Sequence, residues 1–250
     1  MISIVTVSHG HHSDIEKLVA SLAQYLKLSY ELILIDNLNS GFDFEGLCHR
    51  FNIANFKVIK NISPMSFSVN NNIGVSLCSY DNVVLLNPDI CLIDDSLDHY
   101  LTQACMEQQG IDDGLFFPAL VNLDGSKQIN GKAKPDFFDQ VVTFFASIFA
   151  KKRESPAGDY WYFAAAVIFN KPFFYQLGGF DINFPMYAED TEICDRCHAV
   201  DAPVVLVNNI SLQHGLGGDS KSKYIAKAVR SNIYLRYKMY KNKQLSKIHN

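Results

Sequence analysis

The stretch at residues 81–90, DNVVLLNPDI, places four apolar residues, Val83 to Leu86, directly before Asn87, Pro88 and Asp89. An apolar run of this length predicts a buried strand, and the proline is consistent with the strand ending there. It does not explain the acid, because a carboxylate beside a hydrophobic core has to be solvated, paired or bound to a metal. The end of this strand is therefore a candidate functional position.

Strand and helix patterns alternate through residues 1–90. Alternation of this kind predicts a mostly parallel sheet with helices on both faces. Apolar runs predict strands, and apolar residues at helical spacing predict helices. The predicted strands are 2–8, 31–36, 56–60 and 82–86, and the predicted helices are 13–26, 43–51 and 68–79.

The rest of the chain has a less regular pattern. Apolar runs predict further strands at 115–122, 161–169 and 202–208. Residues 186–199, MYAEDTEICDRCHA, predict a helix whose first turn is strongly acidic. The apolar and aromatic segment 137–150 is also predicted to be helical.

Polar residues follow three of the predicted strands directly. They are Ser8 and His9 after the first strand, Asp36 and Asn37 after the second, and Asn87 and Asp89 after the fourth. In open α/β sheets, ligands bind at the carboxyl ends of the strands. Each of these residues alone is a common way to begin a loop, but three polar ends on one edge favour a binding site.

Composition and charge limit the function classes. The chain is 48% hydrophobic and 19% charged with a net charge of −4, which suits a globular core and does not indicate a nucleic-acid partner. Its apolar runs are much shorter than the roughly 20 residues that cross a bilayer. No signal peptide is recognised before the first strand, so we expect a cytoplasmic protein with six reduced cysteines.

The C-terminal segment differs from the rest in charge. Residues 220–250 contain nine Lys or Arg and no acid, so they carry +9 against −13 for the remainder. A basic amphipathic helix with several tyrosines suits contact with an anionic membrane surface. The alternative is a helix that packs on the domain with its basic face in solvent, and both interpretations stay open.

Taken in order, several stretches resemble the family 2 glycosyltransferases and, within them, bacterial rhamnosyltransferase-like members. These stretches are IVTVSHG, LIDNLNS, FSVNNNIGV, VLLNPDI, LGGFDINFPMYAEDTEICDR and LQHG, and they span residues 2–218. The resemblance implies the GT-A fold, an α/β architecture with a Rossmann-like, mostly parallel sheet flanked by helices and a C-terminal helical extension. It implies a glycosyltransferase domain at 1–218, with a nucleotide-sugar half at 1–122 and an acceptor half at 123–218, followed by a basic segment at 219–250.

The resemblance also assigns a metal and a donor site. Asn87-Pro88-Asp89 corresponds to the motif that holds Mg²⁺ or Mn²⁺ against the donor diphosphate, and His214 corresponds to a further metal or diphosphate ligand. Carboxylate and phosphate oxygens are the ligands that Mg²⁺ prefers. The residues implied in donor or nucleotide binding are Ser8, His9, Asp36, Asn37, Asn71, Asn72, Asn87 and Asp89. Asn71 and Asn72 have the alternative role of helix caps.

On the acceptor side, the resemblance implies that Asp190 is the general base of an inverting displacement and that Glu189 lies beside it. Adjacent acids in a first helical turn also complement the helix dipole. Glu192 adds a third acid, and mutual repulsion is expected to raise the pKa of one of them. Trp161, Ala165 and Ala166 are expected to line the acceptor site.

The implied function is transfer of L-rhamnose from dTDP-L-rhamnose to a lipid-linked saccharide in bacterial O-antigen or other cell-surface polysaccharide synthesis. The same interpretation predicts peripheral contact with the cytoplasmic face of the inner membrane. A UDP-hexose or UDP-galactofuranose donor stays open, because uracil and thymine share the same imide edge. A non-catalytic nucleotide-sugar-binding subunit and assembly as a homo-oligomer also stay open. A nucleotidyltransferase would need a Gly-rich basic loop, which SHGHHSDIEK does not supply.

Overall fold

The structure, a computed structural model, describes residues 1–106, 111–134, 160–184, 186–215 and 225–246. The described strands are β1 (Ile2–Ser8), β2 (Tyr30–Asp36), β3 (Phe56–Lys60), β4 (Asn82–Leu86), β5 (Ile90–Leu92), β6 (Leu115–Val121), β7 (Gly131–Lys132), β8 (Trp161–Tyr162), β9 (Ala166–Asn170) and β10 (Val204–His214). The described helices are α1 (His12–Tyr25), α2 (Phe44–Arg50), α3 (Phe67–Ser76), α4 (Ser96–Met106), α5 (Lys171–Gln176), α6 (Glu189–Ala199) and α7 (Ile225–Ser246).

One central sheet contains eight of these strands, in the order β3-β2-β1-β4-β9-β6-β10-β5. β1 pairs in parallel with β2 and β4, β2 with β3, and β6 with β10. Only β9 and β5 run antiparallel to their neighbours in this sheet. The predicted mostly parallel α/β sheet is confirmed. β7 and β8 form a separate two-stranded sheet.

Hydrophobic clusters cover both faces of the sheet, because successive side chains of a strand point to opposite sides. Ile2 and Ile4 of β1 belong to a cluster with residues of α1, α2 and α4. Val5 belongs to a second cluster with residues of α3, α5 and α6. A Cβ at Gly74 would lie 2.3 Å from Cγ1 of Val5, so α3 rests directly on β1. This contact sets the segment FSVNNNIGV beside the strand ends.

One predicted strand is wrong in its extent. The run at 161–169 forms two strands: Trp161–Tyr162 pairs with Gly131–Lys132, and β9 begins only at Ala166. An apolar run does not reveal with which neighbour each part pairs. The predicted helix at 186–199 begins later, at Glu189, and the last strand extends to His214. The sequence did not predict β5 or α4.

The C-terminal helix α7 packs against α6, with Ser231 and Leu235 buried. Within the described ranges, no helix is long and apolar enough to cross a membrane. The predicted helix at 137–150 lies outside the described residues, as do residues 216–224. The division into a domain at 1–218 and a segment at 219–250 therefore stays a prediction.

Candidate active site

The polar ends of β1, β2 and β4 lie at one edge of the sheet, as their positions predicted. Ser8 and Asp36 are direct partners in the β1–β2 register, and the N–H of Asn37 donates to the carbonyl of Ser8 at 2.9 Å. β4 pairs on the other side of β1, with Val5 opposite Leu85. The hydroxyl of Ser8 is buried and has no hydrogen-bond partner among the described residues.

Asp36 organises the loop that follows β2. Its Oδ1 accepts from the N–H of Leu38 at 3.2 Å. Its Oδ2 accepts from the N–H and the hydroxyl of Ser40 at 2.7 and 2.9 Å. The carboxylate is fully buried. A base contact by Asp36 stays a prediction, and the role visible in the structure is to hold residues 38–40.

Asn37 joins three loops at the same edge. Its Nδ2 donates to the Met65 carbonyl at 3.0 Å and lies 2.8 Å from Nδ1 of His9. Its Oδ1 accepts from Met65 N–H and from Asn61 Nδ2, both at 2.8 Å. Partial burial and the nearby His11 lower the pKa of His9. A neutral His9 ring accepts at Nδ1 from Asn37, which fixes the ring beside Ser8.

The two asparagines of α3 make structural contacts. Asn71 Nδ2 donates to the Phe67 carbonyl at 3.0 Å. Asn72 makes a pair of hydrogen bonds to Phe180, donating to its carbonyl at 2.8 Å and accepting from its N–H at 2.9 Å. Neither caps the helix, because Ser66 is its N-cap residue. Asn72 therefore ties α3 to the GGFD turn, and donor contact by either residue stays a prediction.

Asp89 and His214 come together as a pair, although they lie far apart in the sequence. His214 Nε2 lies 3.4 Å from Asp89 Oδ2, and both side chains are about one-fifth exposed. The N–H of Gly215 donates to the Asp89 carbonyl at 2.9 Å, which joins the two segments. A carboxylate and an imidazole are both suitable ligands for Mn²⁺. The pair therefore fits a divalent cation.

This pair is too small to be a complete metal site. Within the described part of the chain, no group of three or more His, Cys, Asp or Glu side chains is placed to hold a metal ion. Mg²⁺ in nucleotide enzymes is commonly held by one or two protein ligands, with substrate phosphates and water completing its shell. The residues present fit a cation that arrives with a diphosphate.

The acid pair Glu189–Asp190 begins α6 after a strained turn. Tyr187 and Ala188 have φ angles of 67° and 73°, in the left-handed region. Each such non-glycine residue costs roughly 1–2 kcal/mol, and such strain clusters at functional sites. Asp190 Oδ1 accepts from the N–H of Thr191 at 2.8 Å. The turn sets the direction in which both acids leave the backbone.

Burial alters the ionisation of both acids. It raises the pKa of Glu189, and the charge of Asp190 raises it further. Burial also raises the pKa of Asp190, against the opposing effects of the Thr191 N–H and the positive charge of Lys132. Glu189 Oε2 is buried without a hydrogen-bond partner in the described ranges. The pair therefore holds protons more tightly than ordinary carboxyl groups do.

The expectation that Glu192 adds to the repulsion between Glu189 and Asp190 is wrong. Glu192 is fully buried and forms a two-pronged ion pair with Arg196, at 2.9 and 2.7 Å. Arg196 also donates to the carbonyls of Leu177 and Gly179. Arg196 therefore connects Glu192 to the Gly-Gly turn and stabilises that turn. The spacing of four residues on a helix is the signal that would have predicted the ion pair.

Trp161 lies in the separate two-stranded sheet formed by β7 and β8. Its ring meets Phe163 edge-on at 5.3 Å, and Lys132 Nζ lies 5.4 Å from its centre. β8 packs against α6, the helix that begins with the acid pair, and the charge of Lys132 lowers the pKa of Asp190. The structure brings Trp161 and Asp190 to the same side of the molecule, and an acceptor contact by Trp161 stays a prediction.

Ala165 and Ala166 are both buried in the core cluster at the start of β9. Ala166 is opposite Leu86 in the β4–β9 register. The carbonyl of Ala165 accepts from the N–H of Asn87 at 2.7 Å. These alanines therefore pack and hydrogen-bond beside the start of the Asn87-Pro88-Asp89 segment. Their role in acceptor binding stays a prediction.

Helix α7 contacts the segment that leads into the strained turn. Ser231 donates to the carbonyl of Met186 at 2.6 Å. Asp181, which follows the Gly-Gly turn, accepts from Tyr234 at 3.0 Å and pairs with Lys238 at 2.9 Å. The sequence contained these residues but did not show which face of the helix would turn inward.

Comparisons with known proteins give one sequence relative and several structural neighbours. No protein-family model matches the chain. The chain is 25% identical over 260 aligned residues to the rhamnosyltransferase WbbL of Escherichia coli, covering 98% of this chain and 94% of that protein.

The solved structures share the fold at low identity. TarS 1–349 of S. aureus matches with a TM-score of 0.60 at 13% identity, covering 91% of this chain. GalNAc-T7 with UDP, GalNAc and Mn²⁺ matches with a TM-score of 0.63 at 14% identity, covering 86% of this chain. This chain spans 64% and 44% of those solved chains, less than two thirds of each. The chain therefore has the GT-A fold of these neighbours and is similar in sequence to a rhamnosyltransferase, which supports a glycosyltransferase.

Proposed function

We propose that this enzyme transfers L-rhamnose from dTDP-L-rhamnose to a lipid-linked saccharide, with inversion at the anomeric carbon. The observation that carries the proposal is the match to a rhamnosyltransferase over 98% of this chain. Synthesis of O-antigen or another bacterial surface polysaccharide is the setting that fits such a donor and acceptor.

Asp190 is the general base of the proposed reaction. It takes the proton of the acceptor hydroxyl as the acceptor oxygen attacks the anomeric carbon. In the same step the bond from that carbon to the diphosphate oxygen breaks, and the diphosphate leaves with the electron pair. Burial raises the pKa of Asp190, which makes it a stronger base than an ordinary aspartate. Glu189, whose pKa is also raised, retains the proton that the pair holds.

The donor lies at the carboxyl edge of β1, β2 and β4 in this proposal. Ser8 and His9 flank the base, and Asp36 accepts from its imide N–H. Asp36 is fully buried and accepts three hydrogen bonds from residues 38–40, so this base contact requires those residues to move. Asn37, Asn71 and Asn72 are the remaining proposed donor-side residues.

Asp89 and His214 would hold a Mg²⁺ or Mn²⁺ ion, with Asn87 as a neutral third ligand. When bound, such an ion would neutralise charge that develops on the leaving diphosphate. The support within this chain is the 3.4 Å approach of His214 Nε2 to Asp89 Oδ2. The neighbour GalNAc-T7 was solved with UDP and Mn²⁺, which supports a metal of this type.

A UDP-sugar is the second candidate donor. TarS of S. aureus, which shares the fold with a TM-score of 0.60, was solved in complex with UDP-GlcNAc. Uracil and thymine offer the same imide edge to Asp36, so that contact does not distinguish them. The chemistry at Asp190 is the same with either donor.

The outer face of α7 is proposed to contact an anionic membrane surface, on the cytoplasmic face of the inner membrane. Four exposed apolar or aromatic residues lie on this face at helical spacing: Val229, Ile233, Tyr237 and Tyr240. Residues 220–250 carry nine positive charges, which suit anionic lipid headgroups. Binding to phosphatidylglycerol vesicles that survives in Ile233→Glu/Tyr237→Glu would contradict this contact.

A donor screen tests the proposed function. The protein is incubated with Mg²⁺ or Mn²⁺, a panel of dTDP-, UDP- and GDP-sugars, and short lipid-linked acceptors, and transfer is followed by mass spectrometry. We expect turnover of dTDP-L-rhamnose that is lost in Asp190→Asn and kept in Asp113→Asn, an exposed control. Turnover of a UDP-sugar alone would refute the rhamnose donor. Nucleotide binding without turnover of any donor would favour a non-catalytic binding subunit.

A further inference from the structure

His214 is held at both nitrogens of its ring. Nε2 faces Asp89 Oδ2 at 3.4 Å, and Nδ1 lies 2.9 Å from Oε1 of Gln128. Gln128 also donates through its Nε2 to the main-chain carbonyl of His214 at 3.1 Å. Gln128 therefore forms hydrogen bonds with both the ring and the main-chain carbonyl of His214.

The orientation of Gln128 is determined by a chain of hydrogen bonds that begins at a carboxylate. Asp124 accepts from the hydroxyl of Ser126 at 2.6 Å, so that hydroxyl is a donor. The Ser126 oxygen is then free to accept from Nδ2 of Asn122 at 2.8 Å. This leaves Asn122 Oδ1 to accept from Nε2 of Gln128, also at 2.8 Å. Oε1 of Gln128 therefore points to His214, where it can only accept.

Because a carboxamide oxygen only accepts, Nδ1 of His214 must carry the proton. In the neutral ring, Nε2 then presents its lone pair to Asp89, whose ionised carboxylate is also only an acceptor. Two acceptors that face each other at 3.4 Å repel unless a proton or a metal cation lies between them, so the neutral ring leaves a position that a divalent cation fits. Metal-ligating histidines commonly donate their other ring N–H to an oxygen in this way, which fixes the tautomer.

Backbone hydrogen bonds also stabilise the turn at residues 122–128, which carries Gln128. The N–H of Asn122 donates to the Ser126 carbonyl at 2.8 Å, and the N–H of Gly125 donates to the Asn122 carbonyl at 2.9 Å. Gly125 has a φ of +80°, which a glycine adopts without strain. The N–H of Gln128 donates to the Leu120 carbonyl at 2.8 Å, at the end of β6. The turn therefore presents Gln128 from a fixed position.

We propose that the hairpin at 122–128 is a positioning device for a metal ligand, in which Gln128 holds His214 as the Nδ1–H tautomer and directs its Nε2 lone pair at a divalent cation shared with Asp89. The proposal rests on the proposed metal use at that pair. Gln128 touches neither the donor nor the reacting atoms, so it is a positioning residue. Removing it is expected to weaken the metal site without changing the ligands themselves.

Two measurements on the full-length protein test this. The first is the ¹⁵N spectrum of histidine-labelled protein at pH 8 without metal, with the His214 signals assigned through His214→Gln. The second is Mn²⁺ binding by electron paramagnetic resonance, alone and with dTDP or UDP. We expect Gln128→Leu to lose the Nδ1–H tautomer and to weaken Mn²⁺ binding about 10- to 100-fold. Gln128→Glu keeps an acceptor at Nδ1 but loses the donor to Asn122 and to the His214 carbonyl, so it is expected to restore the tautomer and part of the Mn²⁺ affinity.

Gln213→Leu is the matched control. Gln213 is the neighbour of His214 in the chain and contacts the same turn, through the Leu123 carbonyl at 3.5 Å, but not the ring. It is expected to leave the tautomer and the Mn²⁺ affinity unchanged. Mn²⁺ affinity that is the same in Gln128→Leu and wild type overturns the positioning role alone and leaves the proposed function intact. Failure of the wild type to bind Mn²⁺, with either nucleotide present, overturns this inference together with the proposed metal use.

Discussion

The contact between α7 and the GGFD turn leads to a quantitative prediction for Lys238→Met. Lys238 Nζ lies 2.9 Å from Asp181 and 3.5 Å from Glu192, and these three side chains are 24%, 10% and 0% exposed. The substitution removes the charge and keeps most of the side-chain length. Glu192 keeps its ion pair with Arg196, so the change acts mainly on Asp181.

The magnitude follows from the ionisation of Asp181. Burial pushes its pKa up, but the N–H of Asn183, Lys238, the Asn183 side chain and Tyr234 lower it to about 2. A decrease from 3.8 to about 2 corresponds to roughly 2 kcal/mol of stability at neutral pH, shared among these partners. Lys238 is one of four such partners, so we expect Lys238→Met to lose at most about half of this, roughly 1 kcal/mol. That corresponds to a decrease in Tm of about 2–4 °C for a chain of this length.

The assay is urea unfolding at several pH values, with Lys241→Met as the matched control. Lys241 is exposed on the same helix, so its replacement makes the same change in net charge. Because the folded pKa of Asp181 lies below its ordinary value, its contribution is present above about pH 4 and is lost as the pH falls towards 2. The difference between the two variants should shrink over that range. Equal stability of the two variants at pH 7 would refute the reasoning.

Three further predictions concern the turn and the base. Gly179→Ala is expected to cost about 2 kcal/mol or more, because φ is +68° and the new Cβ would lie 2.9 Å from Asn72 Oδ1. Gly41→Ala, at φ +74° with open space around it, is expected to cost less, and equal thermal shifts would contradict the clash. Asp190→Asn is expected to lower kcat by about 10²- to 10⁴-fold with little change in unfolding; retained turnover would remove Asp190 as the base. Since burial raises the pKa of Asp190, kcat is expected to increase with pH through a range above that of an ordinary aspartate; a profile that is flat from pH 5 to 8 would contradict it.

Much of the first half of the fold followed from local pattern. The predicted strands at 2–8, 56–60 and 82–86 have the same bounds in the structure. β1 and β4 are buried parallel strands, which are short and mostly apolar runs. Their order and direction made it possible to expect Ser8, Asp36 and Asp89 at one edge. Local pattern was less informative after residue 90, where antiparallel strands and a separate small sheet break the alternation.

The roles of individual polar side chains were the hardest part to predict. Asn72 was expected to face the donor or to cap α3, yet both polar atoms of its side chain bind the backbone of Phe180. Glu192 was expected to repel its acidic neighbours, yet it is neutralised by Arg196. Each outcome depends on a partner that is distant in the chain or on the direction in which a side chain leaves the backbone.

The sequence by itself therefore determined the α/β alternation, the polar ends of the strands and the acidic start of α6, since these depend on periodicity and on residue type. Only the tertiary structure decided which of those groups are buried together and what they contact. The pairing of Asp89 with His214 and its support by Gln128 require β5 to lie beside β10 and the hairpin after β6 to turn back on the end of β10. Hydrogen bonds and pKa shifts depend on distances of a few ångströms between segments, and the local pattern of a sequence does not specify those distances.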